Sequence, residues 1–174
     1  MLNAAYVDQA RLHFELYLRD TLAASQRVGG RFNPPGEFGA LYTASDSETA
    51  WAEVAARFQR EGIPGLPPEM GILGLLITGG RFADLCEADV RARWDIEERT
   101  LVSVDDRRDR DRRWSLGRAV RALGDFLRSP SARRDGANIA LFVDREGRQL
   151  AMTVQFIRRE AVPDRLAQKP NETW

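Results

Sequence analysis

The chain has 174 residues with 26 basic and 26 acidic side chains, 43% apolar residues, one cysteine and one histidine. That length fits one domain with a sizeable core, and no apolar run approaches the ~20 residues a membrane span needs. Balanced charge argues against a nucleic-acid partner. Cys86 alone makes no internal disulfide or multi-cysteine zinc site, and His13 alone makes no two-histidine metal motif and poor material for a Ser-His-Asp triad. Both read as structural residues, which leaves Arg, Glu, Asp, Ser and Tyr to carry any polar chemistry. Nearly all the positive charge is arginine, with Lys169 the sole lysine. The opening residues Met1–Tyr6 lack the basic start and apolar stretch of a signal peptide, so a soluble, cytoplasmic protein is expected.

In chain order, Arg11–Arg19 alternates apolar and polar residues like a strand, yet its Leu, Glu and Arg content suits a helix. Val28–Gly39 holds four glycines and two prolines and reads as an irregular loop. Ala40–Ala44 is strand-like. Ser45 and Glu48 then form a capping-box pattern opening a helix with Ala50, Trp51, Val54, Ala55 and Phe58 on one face. Glu61–Met70 is a Pro/Gly loop, Gly71–Thr78 a fully buried strand, and Asp84–Arg93 a shorter helical stretch.

The mixed-charge run Asp105–Arg113 reads as a solvated loop or helix start. Trp114–Arg128 follows as a helix ended by Ser129-Pro130-Ser131. Asn138–Val143 and Leu150–Ile157, joined by a charged turn at 144–148, suggest a hairpin. The expected organisation is one mixed α/β domain over 1–160, with central mixed or antiparallel strands flanked by helices, and a polar tail over 161–174.

Neither a Rossmann fingerprint nor a P-loop occurs. The loop Gly-Gly-Arg-Phe-Asn-Pro-Pro-Gly (29–36) does place bare backbone beside a guanidinium, a combination suited to an anion. Its simpler reading is a tight surface loop with Arg31 in solvent. Glu53 lies off the apolar face of its helix, free for a site or for an ordinary pair with Arg57. Ser131 is a site candidate or a turn residue, with Ser129 competing, and Tyr42 is most simply a half-buried strand aromatic.

In combination, Gly-Gly-Arg-Phe-Asn-Pro-Pro-Gly, Leu-Tyr-Thr-Ala-Ser, a helix with Ala-Glu, and Pro-Ser-Ala before an Asn-led strand resemble the RES domain, from about Gly29 to Phe142. The resemblance implies a fold like the ADP-ribosyltransferases and NAD⁺ as substrate, with no further cofactor. It implies Glu53 and Ser131 as catalytic residues and Arg31 and Tyr42 as NAD⁺-binding residues. Arg31 would grip the diphosphate, Tyr42 would stack on a ring, and Glu53 would steady charge on the ribose. It further implies a toxin that cleaves the nicotinamide–ribose bond with phosphate or water as acceptor, partnered by an Xre-type antitoxin. A protein-directed ADP-ribosyltransferase and a non-catalytic NAD⁺-binding module remain as alternatives. Two departures stand out. The family's N-terminal arginine has two candidates here, Arg11 and Arg19, and Phe32 replaces a common Trp.

Overall fold

The computed structural model describes residues 4–63, 65–103, 107–144, 150–163 and 166. Helix α1 (Ala4–Val28) opens the chain, so the segment open to either reading is helical. Phe14, Leu18 and Leu22 recur every four residues and turn inward, whereas Leu12, Leu16 and Tyr17 are exposed. The strand-like alternation arose because inner and outer apolar residues interleave along the same helix. The side chains of Arg11 and His13 lie outside the described residues, and Arg19 is exposed and paired with Asp20.

After the loop come β1 (Leu41–Ala44) and α2 (Ser47–Arg60). The cap of α2 is Asp46, one residue later than the Ser45–Glu48 pattern predicts; its carboxylate accepts from the Thr49 backbone N–H at 2.8 Å. Ser45 instead joins strands, accepting from the Ala137 backbone N–H at 3.1 Å, and Glu48 pairs with Arg134 at 2.6 Å. Of the expected apolar face of α2, Trp51 is buried and Val54, Ala55 and Phe58 pack around it with Leu66 and Val162, while Ala50 is not part of this cluster.

The remaining elements are β2 (Glu69–Gly79), β3 (Phe82–Asp84), α3 (Ala88–Arg93), α4 (Glu98–Val102), α5 (Arg107–Leu123), β4 (Phe126–Pro130), β5 (Ala137–Leu141) and β6 (Leu150–Ala161). The strands form two sheets. One has four strands in the order β1-β5-β4-β3, antiparallel except for the parallel β3–β4 pair; the other is an antiparallel ribbon of β2 and β6. The result is a single mixed α/β domain flanked by helices.

Five expectations need correction. No residue of β2 is fully buried; its pairing shifts register where Gly74 meets Phe156 and Leu75 meets Val154, which leaves Gln155 of β6 as the extra residue. Met70 and Ile72 pack into one cluster before that shift, and Leu75 and Ile77 into another after it, so apolar residues of both parities mimicked a buried strand. The stretch read as helix over Asp84–Arg93 is helical only as α3; Asp84 still belongs to β3. The helix placed at Trp114–Arg128 begins at Arg107 and stops at Leu123, and Phe126–Pro130 is a strand. It stops at Gly124, where an added Cβ would meet the Arg81 carbonyl at 2.8 Å. The charged run at its start is not wholly solvated either: Arg113 is buried and donates to the carbonyls of Thr100 and Ser103, both at 2.8 Å.

Finally, β5 and β6 are not a hairpin. β5 is an inner strand between β1 and β4, while β6 pairs with β2; residues 145–149 between them lie outside the described residues. Val162 is buried and Leu166 packs beside it, and 167–174 lie outside the described residues. Among the described residues no helix is long and apolar enough to cross a membrane.

Candidate functional site

The 29–40 loop is held from three sides. From α1, Ser25 offers its backbone carbonyl to Asn33 Nδ2 at 3.0 Å, and Leu22 backs against Gly39 so closely that an added Cβ would sit 2.6 Å from its carbonyl oxygen. From α5, Trp114 Nε1 donates to the Gly30 carbonyl at 2.9 Å, and Arg118 grips Glu37 with two bonds of 2.8 and 2.6 Å. Gly117 admits the loop backbone, since a Cβ there would overlap the Phe32 carbonyl at 1.7 Å. From β1, the Tyr42 hydroxyl accepts from the Phe32 N–H and donates to Asn33 Oδ1, each at 2.8 Å. Asn33, wholly buried, adds a bond to the Phe38 carbonyl at 2.9 Å. Phe32, in place of the family's Trp, is core. The loop is therefore a rigid platform rather than a surface turn.

Arg31 stands on that platform. It is largely enclosed rather than pointing into solvent, and its Nη1 is buried without a hydrogen-bond partner. Burial pulls its pKa below the ordinary value, the charges of Glu53 and Tyr42 oppose that, and Arg133 and Arg60 add to the lowering. Arg31 thus lies within electrostatic reach of Glu53 and of two further guanidinium groups, those of Arg133 and Arg60. Tyr42 shows two characters. The residue as a whole is 36% exposed, while its enclosed hydroxyl is pushed to titrate above the ordinary range by burial.

Glu53 comes from α2, which comes especially close to the β4–β5 hairpin at Thr49. Thr49 is buried against Gly136, where an added Cβ would lie 2.2 Å from Thr49 Oγ1. Glu53 follows one turn later on the same face. Arg57, its expected partner, turns instead to Glu61 at 2.8 Å. Glu53 Oε1 accepts from Ser131 Oγ at 2.8 Å and from Asn138 Nδ2 at 2.6 Å. Ser131 is buried; its Oγ also accepts from the Arg133 N–H at 3.1 Å, and its own N–H closes the hairpin loop on the Gly136 carbonyl at 2.9 Å. Ser129, the competitor, is buried on β4 with no partner for its hydroxyl.

Arg31, Tyr42, Glu53 and Ser131 are thus brought into one region from a loop, β1, α2 and the end of β4. Sequence reasoning missed Asn138, which it treated only as the first residue of an apolar run. It also missed Arg60 and Arg133. A separate cleft of about 900 Å³ between the α3–α4 region and α5, lined in part by Trp94, Ile96, Arg112 and Leu116, includes none of these residues.

Chemically, the region offers a fixed carboxylate beside a buried, under-bonded guanidinium and an accessible aromatic ring. A guanidinium nitrogen without a partner in a dry site is costly unless an anion completes it.

The family model described as RES domain matches residues 9–164, most of the chain. Among solved structures, the chain is similar to one in the crystal structure of the M. tuberculosis MbcT-MbcA toxin-antitoxin complex. That likeness has a TM-score of 0.58 and 21% identity, and covers 75% of this chain and 74% of the other. Comparison with curated proteins gives no match.

Proposed function

Because the chain belongs to the RES domain family, we propose that it consumes NAD⁺ by cleaving the bond between nicotinamide and ribose. The observation that carries this reading is that Arg31, with its unpartnered buried Nη1, and the anchored carboxylate of Glu53 lie within electrostatic reach of each other. The first is suited to a diphosphate oxygen and the second to a sugar that becomes positively charged.

When the N1–C1′ bond breaks, its electron pair goes to the nicotinamide ring nitrogen and neutralises the pyridinium. Positive charge passes to the ribose as an oxocarbenium-like state, of the kind also met in glycoside cleavage. Glu53 stabilises that charge through its carboxylate. Arg31 holds the diphosphate, and the exposed ring of Tyr42 gives a stacking surface while its hydroxyl stays with the loop. Ser131 contributes through Glu53, to which its hydroxyl hydrogen is given. An oxygen of phosphate or water then bonds to C1′, and the acceptor's proton leaves to solvent.

The likeness in fold to a protein of a toxin–antitoxin complex supports reading the chain as the toxin of such a pair. Its partner would be an antitoxin protein, Xre-type by family resemblance. Mass spectrometry of NAD⁺ incubated with the pure chain, with and without phosphate, tests the reaction. ADP-ribose-1″-phosphate formed only with phosphate marks a phosphorylase, and free ADP-ribose marks a hydrolase. A mass gain of one ADP-ribosyl group on a protein target, with nicotinamide released but neither ADP-ribose-1″-phosphate nor free ADP-ribose formed, would replace this reading with a transferase. Robust host growth at high expression without a partner would remove the toxin role.

A further inference from the structure

We propose that Asn138 is a positioning residue which, with Ser131, clamps one oxygen of Glu53 and so turns the other to the substrate. The assignment rests on the NAD⁺-cleavage reading for its chemistry, but the clamp itself is a matter of geometry. Ser131 Oγ and Asn138 Nδ2 both donate to Oε1, at 2.8 and 2.6 Å, and among the described residues neither engages Oε2.

The two donors occupy the base of one hairpin. Ser131 directly follows β4, and Asn138 is the second residue of β5, where its backbone pairs with Ser129 on one side and Ala44 on the other. An inner strand fixed on both edges gives the amide little freedom, and the bond from Ser131 N–H to the Gly136 carbonyl sets the hydroxyl at a constant distance from it. Asparagine is depleted in strand interiors because its amide competes for backbone bonds. Here the amide nitrogen is instead used 85 residues away in sequence, on α2.

The chemistry explains why two donors on one oxygen are useful. A carboxylate with both oxygens free rotates about its last bond and presents either one. With Oε1 held by two charge-assisted bonds, the plane of the group is set and Oε2 alone is left for the ribose. An amide is suited to this role because Nδ2 can only donate, whereas a carboxylate at 138 would repel Glu53.

The test uses the full chain in two measurements. Steady-state NAD⁺ cleavage is compared for wild type, Asn138→Ala and the isosteric Asn138→Asp, each checked for a native melt. The expected result is a kcat lowered about 10- to 100-fold in Asn138→Ala, with KM within about threefold, and a deeper loss in Asn138→Asp. A kcat within about twofold of wild type, or a loss carried by KM, would overturn the clamp. Independently of turnover, NMR reads the Asn138 side-chain amide. One proton is expected well downfield in the wild type and back in the ordinary range in Glu53→Ala. An ordinary shift in both proteins would overturn the clamp even if NAD⁺ were cleaved. A wild type that leaves NAD⁺ intact but shows the downfield proton would keep the clamp and remove only the cleavage reading.

Discussion

The Tyr42 hydroxyl lies 2.8 Å from Asn33 Oδ1 and receives the Phe32 N–H at the same distance, so one side chain of β1 carries the turn that presents Arg31. Tyr42→Phe keeps the ring but leaves a wholly buried amide oxygen and a backbone N–H without this partner. A loss of about 1–3 kcal/mol in denaturant unfolding is expected. If the exposed ring face is what meets substrate, KM should change far less than in Tyr42→Ala. A variant as stable as wild type would show that the loop is held by other means.

Arg31 should illustrate a conflict between stability and function. Its buried, unpartnered nitrogen burdens the fold, so Arg31→Met, which keeps the apolar stem, is expected to melt at or above the wild-type temperature. The same variant should lose NAD⁺ affinity by at least about tenfold, as expected when a charge-assisted contact is removed. Calorimetric melts and NAD⁺ titration check the two halves separately.

The close approach of α2 to the hairpin gives a third expectation. Gly136→Ala sets a methyl 2.2 Å from Thr49 Oγ1 and about 3.3 Å from the Cβ and Cγ2 of Thr49, so the Thr49 side chain or α2 with it must give way. Overpacking of this kind costs about 1–3 kcal/mol. Because Glu53 lies one turn further along the same face, turnover should fall as well. Adding Thr49→Ala to Gly136→Ala should recover part of both losses, and the double-variant cycle measures how much.

Acid stability should carry the signature of Asp46. The Thr49 backbone N–H, chiefly, holds its carboxyl below the ordinary 3.8. A depressed folded-state value means the cap contributes fully above pH 3.8 and loses its effect as pH falls below that through the folded value. Asp46→Asn accepts a similar bond without charge. The stability difference between the two proteins should therefore shrink below about pH 4, as followed by unfolding at graded pH. A constant difference across that range would place the effect elsewhere.

The residues most readable from sequence were those whose types are unusual for their position. Arg31 sits among glycines, Glu53 lies off an apolar stripe, and the structure brings both to one place with Ser131. Asn138 was hidden because it heads an apolar strand, and its one signal, an amide at a strand position, points to a partner without naming it. The errors in fold arose where local pattern and tertiary position disagree. Asn138–Val143 and Leu150–Ile157 are neighbours in sequence, but the edges of β5 are already taken by β1 and β4, so β6 finds β2. Likewise the apolar run of β2 is continuous because its residues serve two clusters, Met70 and Ile72 one and Leu75 and Ile77 of the opposite parity another, which a single buried face of period two does not anticipate.

The measurement that bears most directly on the central claim is nicotinamide release from NAD⁺ by the pure chain, with Glu53→Ala and Arg31→Ala assayed beside it. Steady release by the wild type that is abolished in both variants is the predicted result. Intact NAD⁺ after incubation with the wild type, or release unchanged in both variants, would contradict it.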